Sequence, residues 1–315
     1  MDKTSGNEFS FKCADFIPFK DKEVIDRVRK IHGQGLTKHS NPDFKINIIP
    51  DALIENIFVT DMFYEIKKAS EEGRKVVFII PNPNPSYLKL AWMINRFKLD
   101  VKHVYTFNMD EWADNEGNIA PETWDASFMN STKRFFYSQI DPKLRMDEKQ
   151  IQGPTNENIK DYSDMILQAG GADVCYSGPG WTGHLAFIEP DVPEFAGSLD
   201  EFLKMGARVT SLNPLTIAQN SLHGCFGASG DLAAVPPKAA TIGPKDVLAA
   251  KRRFEIHSLT TAGTFVTWQR MISRLVLHGP VTPKVPSSIL QLVPTDVYIS
   301  ETLAAPIEPD WIFQY

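Results

Sequence analysis

Val76-Val77-Phe78-Ile79-Ile80 is an unbroken run of β-branched and aromatic residues. A half-buried strand alternates apolar and polar residues. A run apolar at every position is a strand buried on both faces, as in a parallel sheet covered by helices. The flanking sequence agrees. Upstream, Leu53, Ile57, Phe58, Met62 and Ile66 recur at three and four residues, predicting a helix capped by Asp51 and ended by Gly73. Downstream, Leu88, Ala91, Trp92 and Phe97 predict a second helix. Further strands are expected over 103–107, 172–177, 254–258 and 297–299, and further helices over 127–137, 157–168 and 264–277. This alternation predicts an α/β fold: a doubly wound, three-layer, mostly parallel sheet with helices on both faces. A single domain over 21–303 is expected, with an N-terminal arm over 1–20 and an apolar C-terminal tail over 304–315 that docks on a neighbouring subunit.

The chain has 315 residues, with Lys plus Arg 33 and Asp plus Glu 39, a formal charge of −6. That balance excludes a general phosphate-backbone binder, so no nucleic-acid partner is expected. Cys13, Cys175 and Cys225 are widely spaced, without a CxxC or a zinc-like Cys/His cluster. They read as reduced thiols, and no metal is assigned. No stretch approaches the ~18 apolar residues of a membrane span. Residues 1–10 are polar and lack an apolar signal core. A cytoplasmic protein without membrane contact is expected.

In a doubly wound sheet, ligands bind beyond the carboxyl ends of the strands. After the first strand comes Pro81-Asn82-Pro83-Asn84-Pro85-Ser86. Three prolines and no glycine make a poor phosphate cradle, because a cradle needs free backbone N–H groups. The loop reads as a rigid ligand wall with Asn82, Asn84 and Ser86 as polar contacts, or as a stiff turn with Ser86 as a helix cap. After the second strand come Asp110 and Glu111. Adjacent carboxylates there suit a general base, and equally suit a solvated turn with a helix cap. After the third come Gly178, Gly180, Thr182, Gly183 and His184, then Glu189. Glycines permit close approach of a ligand, and a His oriented by a carboxylate moves protons near neutral pH. The pattern is not a dinucleotide fingerprint.

These segments together resemble the glucosamine-6-phosphate deaminase (isomerase) family, to which the 6-phosphogluconolactonases are related. The resemblance rests on Thr106-Phe107-Asn108-Met109-Asp110-Glu111-Trp112 and Gly183-His184-Leu185-Ala186-Phe187-Ile188-Glu189-Pro190. It is supported by Pro121-Glu122-Thr123, Ser127-Phe128-Met129, Val235-Pro236-Pro237-Lys238-Ala239 and Ser287-Ser288-Ile289-Leu290-Gln291-Leu292. It implies ring opening of an amino sugar, aldose–ketose isomerisation and loss of ammonia, with no cofactor. Asp110 would carry the proton between C2 and C1. His184 would assist ring opening, with Glu189 orienting it. Asn82, Asn84, Ser86, Glu111, Gly178, Gly180, Thr182, Gly183 and Lys238 are the candidate substrate contacts. Relatives are often oligomeric, so a homo-oligomer is expected.

Three departures from the family pattern stand out. Thr182 occupies the position of an Asp two residues before the His. Pro83 and Pro85 interrupt the family's phosphate cradle. The family's phosphate-binding Arg and Lys fall at Leu222 and near Gly263. Losing both cations and the amide nest costs on the order of 10³-fold in phosphate binding. A divergent deaminase or isomerase is therefore expected, its phosphate anchor altered or lost, or replaced by Lys238 or Arg208. Two alternatives stay open: a non-catalytic sugar-binding or regulatory protein on this scaffold, and a lactone hydrolase. The Lys251-Arg252-Arg253 run reads as a solvated strand entry, His103, His223, His257 and His278 as scattered, and Trp268 as core.

Overall fold

The side chains of Val76–Ile80, strand β2, divide by parity between two cores. Val76, Phe78 and Ile80 pack with helices α2 (Ile54–Glu71) and α3 (Ser86–Phe97). Val77 and Ile79 pack on the opposite face. There they meet α1 (Lys22–Arg29), α5 (Tyr162–Gln168), α6 (Leu199–Phe202), α8 (Pro244–Ala249), α9 (Gln269–His278) and α10 (Glu301–Ala304). The structure, a computed structural model, describes residues 11–81, 86–258, 260–261, 264–265 and 267–308. Part of the expected arm and of the expected tail therefore lies outside the described residues.

The central sheet has seven strands in the order β1 (Phe44–Ile49), β12 (Thr295–Ser300), β9 (Arg252–His257), β6 (Val174–Ser177), β2, β3 (Val104–Asn108) and β5 (Ile151–Gln152). Every pairing in it is parallel. The chain winds outward from β2 through β3 to β5 on one side. It winds outward from β6 through β9 on the other. The reversal between β2 and β6 opens a crevice at their carboxyl ends, where a doubly wound sheet holds its ligand. The expected α/β architecture is the one found.

A second sheet sits beyond that crevice. It is antiparallel, in the order β4 (Asp110–Ala113), β8 (Lys238–Thr241) and β7 (Arg208–Ser211). Its core is Trp112, with Phe128, Phe187, Leu212 and Val235, flanked by α4 (Phe128–Phe135) and α7 (Pro214–Ser221). These strands have four residues each and β8 reads Lys-Ala-Ala-Thr, too short and too weakly patterned to register as strands in the sequence. The solvated turn entertained at Asp110-Glu111 is instead a fully buried strand.

Other boundaries move for identifiable reasons. Asp51 does not cap α2, whose cap position is Leu53. The Asp51 carboxylate accepts hydrogen bonds from the Thr302 hydroxyl at 2.7 Å and backbone at 3.2 Å, tying the start of α2 to α10. The helix expected over 264–277 starts later, at Gln269. Thr260–Thr261 (β10) and Thr264–Phe265 (β11) form a small antiparallel ribbon before it, consistent with β-branched and aromatic preference. The basic run at 251–253 is not simply solvated. Arg253 is buried and donates to the carbonyls of Pro294, Leu248 and Ala250, while Arg252 pairs with Asp61 and Glu65 on α2. Trp268 is half-buried and stacks on Trp181 with ring centroids 5.8 Å apart.

Arg274 on α9 is wholly buried and donates to five carbonyls, those of Ile31, Arg270, Leu303, Ala304 and Ala305. It joins the chain after α1 to the end of α10. Replacing it by Met keeps most of the volume but strands those acceptors. Arg274→Met is expected to lower stability by about 3 kcal/mol, read as a lower urea midpoint at unchanged slope. A midpoint within error of wild type would refute the tie.

Candidate active site

Strand β3 ends at Asn108, and the chain crosses from one sheet to the other through Met109. The Met109 N–H donates to Ile80 O at 2.9 Å in the central sheet, and its carbonyl accepts from Ile242 N at 2.9 Å beside the second. The next residue, Asp110, opens β4 opposite Thr241. This places the Asp110 carboxylate in the crevice. It is 4 % exposed, and Oδ1 has no hydrogen-bond partner among the described residues. Burial, with the neighbouring Glu111 charge second, holds its pKa well above the ordinary carboxylate range.

Glu111 points away from the crevice. Its carboxylate accepts from Trp112 N, Phe128 N, Met129 N and the Ser127 hydroxyl at 2.7–3.0 Å. Burial raises its pKa while those four donors pull it down. The expected substrate contact is thus a structural anion at the N-terminus of α4, where backbone N–H groups are otherwise unsatisfied. Alternation along β4 is the cause: neighbouring residues face opposite ways.

The loop after β6 builds the facing wall. Gly180 N donates to His184 O, and Gly183 N to Gly180 O, closing a tight turn. A Cβ on Gly180 would fall 1.8 Å from His184 Nε2, so the imidazole lies against bare backbone. Gly183 has φ +78°, a conformation that favours glycine. His184 Nδ1 is 3.0 Å from Thr182 Oγ1, 3.0 Å from Thr216 Oγ1 and 3.4 Å from Glu189 Oε1. Thr182 donates its hydroxyl hydrogen to Glu189 Oε2 at 3.0 Å. That assigns the hydrogen on Nδ1 to His184 and leaves Nε2 as the nitrogen not engaged by this network. Thr182, the departure from the family pattern, therefore bridges His184 to a carboxylate with zero exposure.

Asp110, His184, Gly178 and Gly180 line one cleft, together with Ser177, Pro179, Phe58, Pro81, Met109, Ala186, Phe187 and Ile256. Thr182, Gly183 and Glu189 stand behind His184. Asn82 and Asn84 lie outside the described residues. Ser86 does not line the cleft; its hydroxyl donates to Glu55 at 2.7 Å. Lys238 is also absent from the lining. It pairs with Ala113, at the opposite end of β4 from Asp110, three residues or roughly 10 Å along the strand. Arg208 is spent on the carbonyls of Gly206 and Glu194. Neither replaces the family's cations, and no Lys or Arg is among the described lining residues.

The cleft also contains residues the sequence reading passed over: Gln219, Asn220, His223, Ser258 and Gln269. From the sequence His223 reads as scattered. It is buried, its Nε2 has no hydrogen-bond partner among the described residues, and burial, then the nearby His184, lower its pKa to about 4. It faces the site as a neutral imidazole. The Gln219-Asn220 pair sits in the stretch aligned with the family's Arg, so that alignment held the signal. Gln219 Oε1 accepts from Trp181 N at 2.7 Å and fixes the loop.

This sheet, with a carboxylate and an imidazole facing a switch-point cleft, has the α/β architecture shared by sugar-phosphate deaminases and lactonases. A solved monomeric glucosamine-6-phosphate deaminase, described as a missing link of the NagB superfamily, superposes with a TM-score of 0.68. The alignment covers 83% of this chain and 99% of that one at 20% identity. The 6-phosphogluconolactonase of Leishmania guyanensis superposes at 0.59 over 84% and 99% of the two chains, at 11% identity. In sequence, the glucosamine-6-phosphate deaminase of Halothermothrix orenii is 30% identical over 224 residues, 71% of this chain and 83% of the relative. The chain belongs to the glucosamine-6-phosphate deaminase family. No family model matches it. Among the described residues no helix is long and apolar enough to cross a membrane.

Glu111→Gln separates the two neighbouring acids. The amide NH2 would oppose donors that now meet a carboxylate oxygen, costing about 2 kcal/mol of stability. Removing the charge also relaxes the second cause of the raised Asp110 pKa. Asp110 then ionises at lower pH, and the acid limb of kcat/KM is expected to move down. An acid limb that stays put, or moves up, would disprove the coupling.

Proposed function

We propose that this chain is an amino-sugar deaminase and aldose–ketose isomerase, with Asp110 as the proton-transfer group. The observation that carries the reading is the buried Asp110 Oδ1, without a hydrogen-bond partner among the described residues, in the same cleft as His184. His184 Nε2 takes the hydrogen from the sugar's C1 hydroxyl and returns it to the ring oxygen, opening the ring to the aldehyde, and Glu189, 3.4 Å from Nδ1, stabilises the imidazolium formed between the two transfers. Asp110 then removes the proton from C2 and returns it to C1. A carboxylate with a raised pKa suits both halves, since it must accept a proton and give it back near neutral pH. Water adds at C2 of the resulting imine and ammonia leaves, so one water is consumed and one ketose is formed.

The phosphate anchor of the family is absent from this reading. No cation stands among the described lining residues. The neighbouring positions outside the description are Asn82, Pro83, Asn84 and Pro85, then Leu259, Ala262, Gly263 and Val266, none of them cationic. A buried phosphate dianion without cationic partners is strongly disfavoured. The proposed substrate is therefore an amino sugar whose recognition does not depend on a phosphate. A cytoplasmic location and association of identical chains go with the same reading; exposed Leu88, Trp92 and Phe97 on α3 support the latter.

Ammonia release from D-glucosamine and from glucosamine 6-phosphate, side by side at neutral pH, tests the reading. Release from the plain sugar is expected. Asp110→Asn should cut kcat by about 10²-fold or more while sugar affinity changes little. Unchanged turnover in the variant would overturn the role of Asp110. Sugar binding with no ammonia from the wild type would favour the non-catalytic alternative.

A further inference from the structure

Beneath the cleft, on the floor formed by β6 and β9, lies a polar cluster that the proton-transfer chemistry does not use. Ser177, the last residue of β6, lines the cleft and is hydrogen-bonded through its hydroxyl to Glu255 Oε2 on β9. Glu255 and His257 are wholly buried, two residues apart and on the same face of β9. Glu255 Oε1 and His257 Nε2 lie 3.8 Å apart, and neither has a hydrogen-bond partner among the described residues. His257 Nδ1 meets Ser273 Oγ at 2.8 Å, and Ser273 donates to Gln269 Oε1 at 3.4 Å. Gln269 also lines the cleft and donates to Pro179 O at 2.8 Å. Two cleft-lining polar side chains, Ser177 and Gln269, are thus held from below by one buried acid and one buried imidazole.

The position of this cluster matters. Asp110 follows β3, while Ser177 ends β6, two strand positions across the sheet, or roughly 10 Å. That is the scale of an opened hexose with a hydrogen bond at each end, so a sugar with C2 at Asp110 can reach Ser177 with its far end. Burial raises Glu255 to about 8 and lowers His257 to about 3, so the floor offers an acid and a neutral ring, and no positive charge. Ser177 gives its one hydrogen to Glu255 Oε2 and turns only lone pairs to the cleft, so a substrate hydroxyl donates to it. A phosphate dianion has no hydrogen to donate there, and no cation among the described lining residues offsets its charge.

Resting on the amino-sugar reading above, we propose that Ser177, positioned by Glu255, is a hydroxyl-reading subsite for the terminal hydroxymethyl of an unphosphorylated amino hexose, and that Glu255 rejects an anionic terminus there. The site selects its substrate at the far end from the reacting carbons. Ser177 touches the sugar; Glu255 acts through it.

Calorimetric titration of the full chain with D-glucosamine, its 6-deoxy analogue and glucosamine 6-phosphate tests this. The wild type is expected to bind glucosamine about ten-fold or more tightly than either of the others, since a missing hydroxyl leaves a buried partner unpaired. Ser177→Ala should erase the preference over the 6-deoxy sugar. Glu255→Gln keeps a hydrogen-bonding group, and should retain that preference while narrowing the gap to the phosphate. Three results would each overturn the proposal: equal or tighter wild-type binding of the 6-phosphate, no binding of any of the three, or a uniform loss across all three sugars in Ser177→Ala. The readout is affinity, so it separates from catalysis. Selectivity without ammonia release would defeat the catalytic reading and leave the subsite standing; ammonia release without selectivity would do the converse.

Discussion

The backbone of Met109 is shared between two sheets, and the site depends on that sharing. Its N–H belongs to the parallel sheet through Ile80, and its carbonyl to the antiparallel one through Ile242. The chain therefore cannot shift at this point without breaking a hydrogen bond in one sheet or the other. Asp110 and Glu111 are the first residues after the junction, and strand alternation sends one into the cleft and the other into the base of α4. A one-residue slip would exchange them, putting the fully bonded acid in the cleft and the unpartnered one against four donors.

Burying carboxyl groups is what this architecture does at the cleft, and each case is handled differently. Glu111 is satisfied by four donors. Glu189 sits behind His184 and takes the Thr182 hydrogen. Among the described residues, Asp110 is left with an unpartnered oxygen, and Glu255 has one oxygen bonded to Ser177 and the other facing only the edge of His257. Graded satisfaction separates the acids held by several donors from those proposed to exchange protons or read a ligand. The Thr182 bridge fits this account: a hydroxyl can relay orientation from Glu189 to His184 without adding another buried charge.

Much of this was legible from the chain. The apolar run of β2 specified a strand buried on both faces, and Asp110, His184 and Glu189 stood out because each follows a strand in a motif the family shares. What stayed hidden was assembled across strands. Ser177 and Glu255 meet because β6 and β9 are neighbours in register, a pairing between residues 78 apart that no local pattern records. Glu111 misled because adjacency in sequence looks like partnership, whereas a pleat separates neighbours. Lys238 misled because a cation near a shared motif looks like an anchor until strand pairing puts it at the far end of β4. His223 looked scattered for the same reason: its proximity to His184 exists only after α7 has packed.

The order of strands also sets a timetable. β12 lies between β1 and β9, and among the described residues β1 pairs with no other strand of the central sheet. Contacts such as Asn47 with Val297 span 250 residues of chain. On a ribosome elongating at about 5–20 residues per second, β1 waits roughly ten to fifty seconds for its neighbour. During that interval its edge has no cover, the edge of β9 joins it only over the last stretch before β12, and unpaired strand edges recruit other chains. For this protein the hazardous moment is synthesis itself. The carboxyl-terminal fifty residues, which hold no group proposed to act on the sugar's reacting carbons, decide whether the nascent chain closes or aggregates.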